Sequence, residues 1–357
     1  MINIAHGNLL TADVEALVNT VNTEGVMGKG IALQFKRAYP KVYDLYRDAC
    51  KRGDVQIGKM HIVFLGALAD GPQWIINFPT KKHWKAKSRL VDIEAGLADL
   101  VVQIKAHKIR SIALPPLGCG HGGLKWEDVF PLIASAMSDL PDTLVQVFAP
   151  EGAPNAQEMP NRTAKPKMTH GAATLLALVN RYQKALLDPQ IRLLEVHKLM
   201  YFLQEAGEPL RLNYTADSYG PYASNLRHVL SRAEGHWISG FGDGEDNPRK
   251  QLELINDAAS EATTFLQGQQ STEERMERVS QLIDGFEDPY GLELLGSVHW
   301  VMTHVRAAAD SSEVTVKHVH EWNARKASTI KPDHIEKAWR RLKDYKWDTE
   351  ARSAVHS

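Results

Sequence analysis

The sequence predicts an α/β domain in its first half and a mainly α-helical domain in its second half. Short apolar runs alternate with helix-like patterns up to residue 150, whereas helix-like patterns dominate beyond residue 168. The stretch APEGAPNAQEMPNRTAKPKM between them contains four prolines and has no apolar periodicity, as is typical of linkers. We therefore predict domains over residues 1–153 and 168–357, joined by a linker over residues 154–167.

Five runs in the first half have the length and the apolar or β-branched content of strands. They are ALVNTV (residues 16–21), KMHIVFLGAL (59–68), QWIINF (73–78), IRSIALPPL (109–117) and LVQVFAP (144–150). Helical spacing of apolar residues lies between them, over residues 30–53, 89–108 and 125–140. Strands that alternate with helices predict a sheet with helices on both faces, which binds ligands at the carboxyl ends of its strands.

Amphipathic helical patterns continue in the second half, over residues 171–187, 192–207, 223–233 and 333–345. Gly207 is placed to end the second of these helices. The segment NYTADSYGPYASNL predicts a polar turn in which Pro221 begins the next helix. The aromatic and methionine residues of this half are predicted to form its core.

The composition is that of a globular protein, with 43% hydrophobic residues, 24% charged residues and a net charge of -1. The N-terminus resembles no secretory signal, and no apolar run reaches the ~18 residues of a membrane span, so we expect a cytoplasmic protein. Cys50 and Cys119 are too few for a disulfide framework, and the close pair His318 and His320 has no further ligand nearby. The sequence predicts neither a metal nor a cofactor.

Two loops rich in glycine each lie between a predicted strand and a predicted helix. NTEGVMGKGIA follows the first run, and GCGHGGLKW follows the fourth. Glycine lets the backbone approach a ligand, and N–H groups at the start of a helix favour phosphate oxygens. Either loop alone is consistent with a tight turn, but the pair on one sheet indicates an elongated pocket for a diphosphate flanked by two sugars or bases.

A basic segment, NFPTKKHWKAKSR (residues 77–89), follows the third run and holds five basic side chains in thirteen positions. A charge run of this kind is usually a solvated surface. Its alternative function is nucleic-acid binding, in which lysines track the backbone while His83 and Trp84 stack on bases.

The segments HGNLLTADVEALVNTVNTEGVMGKGIALQFK and LPPLGCGHGGLKW resemble the macrodomain family of ADP-ribose binders and hydrolases. Within that family they are similar to the branch that includes the DarG antitoxins and the human terminal ADP-ribose glycohydrolase. The resemblance covers residues 1–155 and implies an α/β macrodomain with a mixed central sheet. DarG proteins add a second domain, and their partner toxin DarT attaches ADP-ribose to thymidine in single-stranded DNA. The segments VHKLMYFLQ and YGPYASNLRHVL look like the domain of Panacea and SocA-type antitoxins.

The resemblance assigns most of the binding site. Asn8 lies where macrodomains often place an acidic residue on the adenine amino group, Asn22 matches the asparagine that orients the distal ribose, and Asn19 is either its companion or a buried polar residue. The first glycine loop is expected over the distal ribose and the second around the diphosphate, where Cys119 needs only to be small. The complete ADP-ribose-binding prediction is Asn8, Leu9, Asn19, Asn22, Met27, Gly28, Lys29, Gly30, Thr80, Pro116, Leu117, Gly118, Cys119, Gly120, His121, Gly122 and Gly123.

The same resemblance places the catalytic lysine of this branch on Lys81. An unprotonated amine can attack the anomeric carbon of ribose, and its pKa is expected to be lowered by the charges of Lys82 and Lys85 and by burial against Phe78 and Trp84. Lys82, His83, Trp84 and Lys85 are the predicted DNA-binding residues, with plain surface charge as the alternative.

The second glycine loop departs from the family pattern. The human relative has an aspartate that assists its lysine, whereas this chain has Gly122 at that position and His121 beside it. A pair of catalytic carboxylates is therefore not expected, since Glu24 is the only acidic residue in either loop. His121 relays protons or caps the loop, and we favour the cap.

The predicted protein is a two-domain antitoxin that removes ADP-ribose from DNA and binds a DarT-like toxin through its second domain. Residues 168–357 carry 22 basic and 27 acidic side chains, with acidic stretches at residues 242–247 and 284–293, which suits a basic groove on the toxin. Two alternatives remain from the sequence: a non-catalytic reader of ADP-ribose, and a hydrolase of ADP-ribosylated protein.

Overall fold

The computed structural model describes residues 2–66, 71–151, 154–155, 158–188, 190–242, 244 and 246–348. The chain divides into two compact units, the first comprising Met1–Ala164 with Gly242–Glu245 and the second Lys165–Phe241 with Asp246–Ser357. Some sequence predictions extend beyond the described residues: the end of the 59–68 strand, residues 156–157 of the linker, two positions of the 242–247 acidic stretch, and residues 349–357.

A six-stranded sheet in the order β1-β6-β5-β2-β4-β3 forms the centre of the first unit. Its strands are parallel, except that β3 runs antiparallel to β4. The strands are β1 (Ile2–Ala5), β2 (Ala16–Asn22), β3 (His61–Phe64), β4 (Trp74–Lys81), β5 (Ser111–Leu114) and β6 (Leu144–Phe148). The prediction of a mixed sheet is confirmed. Strand β1 was not predicted, because burial does not alternate along its four residues. It pairs in parallel with β6.

Helices cover both faces of this sheet, as predicted. They are α1 (Gly30–Ala38), α2 (Pro40–Arg52), α3 (Leu90–Ala106) and α4 (Trp126–Met137). One face holds the core beneath α3 and α4, and the other face holds the core beneath α1 and α2. Successive residues of β2 point to opposite faces: Val18 belongs to the first core and Leu17 to the second.

The helical pattern over residues 30–53 is divided between two helices, α1 and α2. Pro40 is the first residue of α2, and Tyr39 before it has φ -132° and ψ 67°, outside the helical region. A proline disfavours helical backbone in the residue before it and cannot donate the hydrogen bond that would continue α1. Pro40 therefore ends one helix and begins the next.

Gly96 of α3 packs closely against the sheet. A Cβ atom on this residue would lie 2.2 Å from Cζ of Phe78, which is fully buried in β4. We expect Gly96→Ala to lower the free energy of unfolding by about 1–3 kcal/mol, because the ring must move or the helix must lift. Chemical denaturation measures this change. The control is Ala98→Leu on the exposed side of the same helix, for which we expect a change of at most about 0.5 kcal/mol.

The second unit is mainly helical, and its core is built from the apolar faces of its long helices. The predicted aromatic and methionine core is confirmed for Tyr201, Phe202 and Met302, among others. The helices are α5 (His170–Leu186), α6 (Leu193–Glu205), α7 (Leu226–Ala233), α8 (Ala258–Leu266), α9 (Gln270–Ile283), α10 (Pro289–His304), α11 (Ser312–Trp322), α12 (Ala324–Thr329) and α13 (Pro332–Asp344). A small sheet of β7 (Gln190–Arg192), β10 (Ile238–Ser239) and β11 (Gln251–Leu254) accompanies them.

The predicted turn around Pro221 is wrong. The segment forms an antiparallel hairpin of β8 (Tyr214–Asp217) and β9 (Gly220–Ala223), so Pro221 lies in a strand and the next helix begins at Leu226. The hairpin is stabilised from inside the unit, because Lys198 Nζ donates a 2.7 Å hydrogen bond to the Pro221 carbonyl oxygen. No sequence period signals such a short strand pair.

Part of the acidic stretch at residues 284–293 is used inside the second unit. Asp288 caps α10 by accepting hydrogen bonds from the N–H groups of Tyr290 and Gly291. The buried Glu293 carboxylate accepts a 2.6 Å hydrogen bond from Nζ of Lys326, which is also buried. Glu293 is therefore buried and structural, whereas Asp288 caps the helix from an exposed position, so only part of this acidic stretch is accessible to a partner.

No helix within the described part of the chain is long and apolar enough to cross a membrane. Among the same residues, no three histidine, cysteine or acidic side chains are grouped closely enough to hold a metal ion.

Candidate functional site

A β-bulge places Lys81 at the carboxyl end of the central strands. In the parallel pairing of β2 with β4, Val21 lies opposite Pro79 and Asn22 opposite Lys81, so Thr80 is an extra residue on β4. A bulge changes the direction of the side chains that follow it and is frequent beside active sites. Thr80 itself is buried, and its hydroxyl donates a 3.4 Å hydrogen bond to the Val21 carbonyl oxygen. Lys81 is thereby brought level with Asn22 of the first glycine loop.

The Lys81 amine reaches the second glycine loop. Its Nζ donates a 3.5 Å hydrogen bond to the carbonyl oxygen of His121. Partial burial lowers the pKa of Lys81 below its usual value, in the direction that the sequence analysis predicted. Burial is the cause, and the charges of Lys82 and Lys85 make no resolved contribution. The expected neighbours also differ: Phe78 packs against α3, and Trp84 is 48% exposed.

The second glycine loop is tightly folded by its own backbone. The Leu124 N–H donates to the Gly118 carbonyl oxygen, the Gly123 N–H donates to the Gly120 carbonyl oxygen, and both bonds are 3.0 Å long. Gly118 has φ +73°, a conformation that glycine adopts most easily. The backbone of the loop before α4 is thus held in a defined conformation, as a phosphate-binding loop requires.

Gly122 fits only as glycine. A Cβ atom there would lie 2.4 Å from both the Gly118 carbonyl oxygen and the Ser88 hydroxyl. Ser88 also donates its backbone N–H to the Gly122 carbonyl oxygen at 3.0 Å. The aspartate of the human relative therefore has no space in this loop. Ser88 was missed by the sequence analysis because its contact with the loop exists only in the folded chain.

The His121 ring extends from the second glycine loop to the first. Its ring is 3.3 Å from the position that a Cβ atom of Gly30 would occupy, and Gly30 has φ +60°. Its carbonyl oxygen accepts the hydrogen bond from Lys81. This position agrees with a packing role for the ring, and whether it caps the loop or relays protons stays a prediction.

The first glycine loop is organised by Asn22. Its side-chain amide donates a 2.6 Å hydrogen bond to the Val26 carbonyl oxygen, and its side-chain oxygen accepts one of 2.9 Å from the Glu24 N–H. The hydroxyl of buried Tyr46 in α2 donates a 2.6 Å bond to the Asn22 carbonyl oxygen. Asn22 is thus at the predicted site, but its amide shapes the loop. The sequence analysis missed Tyr46, which carries no signal beyond its place on the apolar face of α2.

Asn19 is fully buried and belongs to a polar row across three strands. Its amide nitrogen donates a 3.0 Å hydrogen bond to the Asn77 side-chain oxygen, and the Asn77 amide nitrogen lies 3.1 Å from Nδ1 of His61. Burial lowers the pKa of His61, which favours its neutral form. The side-chain oxygen of Asn19 has no hydrogen-bond partner among the described residues. This arrangement agrees with the buried-polar alternative for Asn19.

The remaining predicted binding residues differ in accessibility. Asn8 caps a short 3-10 helix by accepting from the Leu10 N–H, and its amide donates a 2.7 Å bond to the Glu158 carbonyl oxygen. Leu9 and Leu117 are buried in the two cores of the unit. Burial raises the pKa of the Cys119 thiol to about 11, so this side chain is uncharged at neutral pH. Of the predicted site residues, the structure brings together those of the two glycine loops with Thr80 and Lys81.

The basic segment after Lys81 is tethered to the first glycine loop. Glu24 accepts a 3.4 Å hydrogen bond from the Trp84 N–H and lies 3.7 Å from Nε2 of His83. The His83 and Trp84 rings are stacked with centroids 5.8 Å apart, and Lys85 Nζ lies 4.8 Å from the Trp84 centroid. An exposed aromatic surface with a cation beside it is a suitable platform for a base.

The mixed sheet, its two glycine loops and the lysine between them define a macrodomain, and residues 18–133 match the family model of the Macro domain. A protein of Thermus aquaticus named DNA ADP-ribosyl glycohydrolase is 48% identical over 338 residues, which are 95% of this chain and 92% of that protein. A protein of Mycobacterium tuberculosis with the same name is 44% identical over 351 residues, 94% of this chain and 97% of that protein. The chain therefore belongs to the DNA ADP-ribosyl glycohydrolase family, which confirms the resemblance to the DarG branch.

A third relative has a different organisation. It is named a DNA ADP-ribosyl transferase-DNA ADP-ribosyl glycohydrolase fusion protein, from Thermosipho africanus. It is 36% identical over 165 residues, which are 42% of each chain.

The lowered pKa of Lys81 predicts a specific pH dependence. If the unprotonated amine acts, kcat/KM for ADP-ribose release rises about tenfold per pH unit and levels off below the ~10.4 of an ordinary lysine. The sign follows because a lower pKa leaves more free amine at any given pH. Initial rates measured across a pH series determine the midpoint. The same rise is expected in His121→Gln, and a rise that disappears in this variant would assign the titration to the imidazole instead.

Proposed function

We propose that this chain removes ADP-ribose from ADP-ribosylated thymidine in single-stranded DNA, with Lys81 as the nucleophile. The observation that carries the proposal is the position of the Lys81 amine, which is partly buried at the carboxyl ends of β2 and β4 and within reach of the second glycine loop. Family membership over almost the whole chain supports the same reaction.

The chemistry requires a free amine beside the sugar carbon that joins ADP-ribose to the base. The Lys81 amine attacks this carbon, the bond from the carbon to the base breaks, and the base leaves with the proton that the amine gives up. The sugar ring opens to an imine on Lys81. Water then hydrolyses the imine and releases free ADP-ribose and the amine.

The glycine loops hold the rest of the ADP-ribose in this proposal. The Gly118–Gly123 loop lies before α4, where its backbone N–H groups and the helix dipole favour the diphosphate, apart from the N–H groups of Cys119 and Gly123, which donate to protein carbonyl oxygens. The first loop, shaped by Asn22, covers the distal ribose next to Lys81. Asn8 holds the adenine amino group.

The test of substrate class compares two ADP-ribosylated substrates at equal concentration. One is a single-stranded oligonucleotide modified on thymidine, and the other is a protein modified on carboxylates. We expect release from the oligonucleotide at a rate at least tenfold higher. A preference for the protein would establish the protein-hydrolase alternative, and binding of ADP-ribose without release from either substrate would establish the reader alternative.

We also propose that the second unit binds a DarT-like toxin. Its charge is -5 over residues 168–357, which opposes the basic surface that a DNA-modifying toxin needs for its substrate. The Thermosipho africanus fusion supports a link between the two proteins, because its name joins a DNA ADP-ribosyl transferase to a glycohydrolase in one chain.

Calorimetry with the full chain and with a fragment of residues 1–164 tests this role. We expect the full chain to bind the toxin and the fragment to lose binding by at least about a hundredfold while both release ADP-ribose from DNA. Tight binding by the fragment would place the toxin interface on the first unit.

A further inference from the structure

Two cations and an aromatic ring lie together beside the first glycine loop. None of the three residues belongs to the predicted site. Lys36 Nζ of α1 lies 4.4 Å from the ring centroid of Tyr43 in α2, and the Arg47 guanidinium carbon lies 5.6 Å from the same centroid. We call these three residues the Tyr43 cluster. The ring holds both cations by cation–π attraction, so their positions are partly fixed before any ligand arrives.

The Tyr43 cluster is connected to the site through Glu24 and Gly25 of the first glycine loop. Arg47 lies 3.4 Å from where a Cβ atom of Gly25 would be, so its backbone and side chain pack directly on the loop. The preceding residue, Glu24, accepts the Trp84 N–H. The Glu24–Gly25 turn therefore has the Tyr43 cluster on one side and the His83–Trp84 platform on the other.

The surface around the Tyr43 cluster carries one net positive charge, because three cations, Lys36, Arg47 and Lys51, lie with two carboxylates, Asp44 and Asp48. Arg47 pairs with Asp44 at 3.1 Å and with Asp48 at 3.5 Å, while Lys51 also pairs with Asp48. Burial and the charges of Arg37 and Arg47 lower the pKa of Lys36, although Asp44 raises it. A bound anion would relieve this repulsion among cations. Arg47 is 40% exposed along its side chain, which leaves it accessible.

We propose that the Tyr43 cluster contacts backbone phosphates of the single-stranded DNA that carries the modified base. The strand then crosses the Glu24–Gly25 turn from the His83–Trp84 platform to Lys36 and Arg47, and the modified nucleotide enters the site at Lys81 beside the platform. Cations on both sides of the turn hold the strand by its phosphates, and these contacts add affinity without reading sequence. This inference rests on the proposed function, because it takes the modified DNA as the substrate.

The test uses the full chain with the double substitution Lys36→Gln/Arg47→Gln. The matched control is Lys105→Gln/Lys108→Gln, which removes the same charge at the opposite end of the strands, where α3 ends before β5 begins. Two readouts are measured. The first is binding of unmodified single-stranded DNA of about 20 nucleotides across a salt series, and the second is kcat/KM for release of ADP-ribose from the modified oligonucleotide and from a modified single thymidine nucleoside.

We expect the Lys36/Arg47 variant to bind the oligonucleotide about tenfold more weakly, with a salt slope reduced by roughly 1.4 for two phosphate contacts on a single strand. Its kcat/KM should fall by a similar factor for the oligonucleotide and stay unchanged for the nucleoside. Each single substitution should produce about half of the logarithmic effect. The control should match the unsubstituted protein in every readout.

Three results would overturn the inference: equal losses on both substrates, a control as weak as the test variant, or unchanged binding of the oligonucleotide. The failure of the proposed function has a different signature. The unsubstituted protein would then release no ADP-ribose from either substrate, while the binding and salt measurements on unmodified DNA would still decide whether the Tyr43 cluster contacts a strand.

Discussion

Lys81→Ala is expected to reduce release of ADP-ribose from modified single-stranded DNA by roughly a thousandfold or more, because it removes the proposed nucleophile. The affinity for free ADP-ribose should change little, since the second glycine loop, which is proposed to bind the diphosphate, does not depend on the Lys81 side chain for its backbone hydrogen bonds. Calorimetry with ADP-ribose and a gel assay of the modified oligonucleotide measure the two effects separately.

The matched control for this variant is Lys82→Ala, one position further along the chain. Lys82 shares the charge of Lys81, but it follows the last residue of β4. We expect this control to lose DNA affinity modestly and to keep most of its turnover at saturating substrate. Equal loss of turnover in both variants would indicate that positive charge alone is needed, and it would remove the nucleophile from the mechanism.

Gly122→Ala is expected to have the second large effect. The added methyl group would lie 2.4 Å from both the Gly118 carbonyl oxygen and the Ser88 hydroxyl, so the loop must open. We expect ADP-ribose binding to weaken at least a hundredfold, because the backbone N–H groups that are proposed to bind the diphosphate lose their arrangement. The free energy of unfolding should also fall by about 1–3 kcal/mol.

The control for Gly122→Ala lies two positions earlier in the same loop. A Cβ atom on Gly120 would meet no atom within 4 Å, and its φ is outside the left-handed region. Gly120→Ala should therefore leave stability within about 0.5 kcal/mol of the unsubstituted protein. If Gly122→Ala is also as stable and binds as tightly, the description of the second glycine loop is wrong.

The sequence predicted the elements that carry the site better than the contacts within it. Apolar runs between helical patterns indicated five of the six strands of the first unit. Each glycine loop lies between a strand and a helix, as expected. The missed strand, Ile2–Ala5, is too short and too irregular in burial to produce a periodic signal. Pro40 is a sequence signal for the break between α1 and α2. The helical spacing of apolar residues continues across it and hides that signal.

The features that could not be predicted depend on contacts between distant residues. The bulge at Thr80 is a property of the pairing between β2 and β4, and it decides where Lys81 points. Ser88 restricts Gly122 from 34 positions away in the chain. The sequence placed Asn22 at the ligand loop, but only the folded chain shows its amide bound to Val26 and Glu24.

The proposed mechanism requires the Lys81 amine to form a covalent bond with the sugar during turnover. The most direct test incubates the protein with modified single-stranded DNA and sodium borohydride, which reduces an imine to a stable amine, and then maps the modified peptide by mass spectrometry. We expect substrate-dependent inactivation and one ADP-ribose adduct on Lys81. An adduct on Lys82 or Lys85, or undiminished turnover in borohydride with no adduct, would exclude Lys81 as the nucleophile.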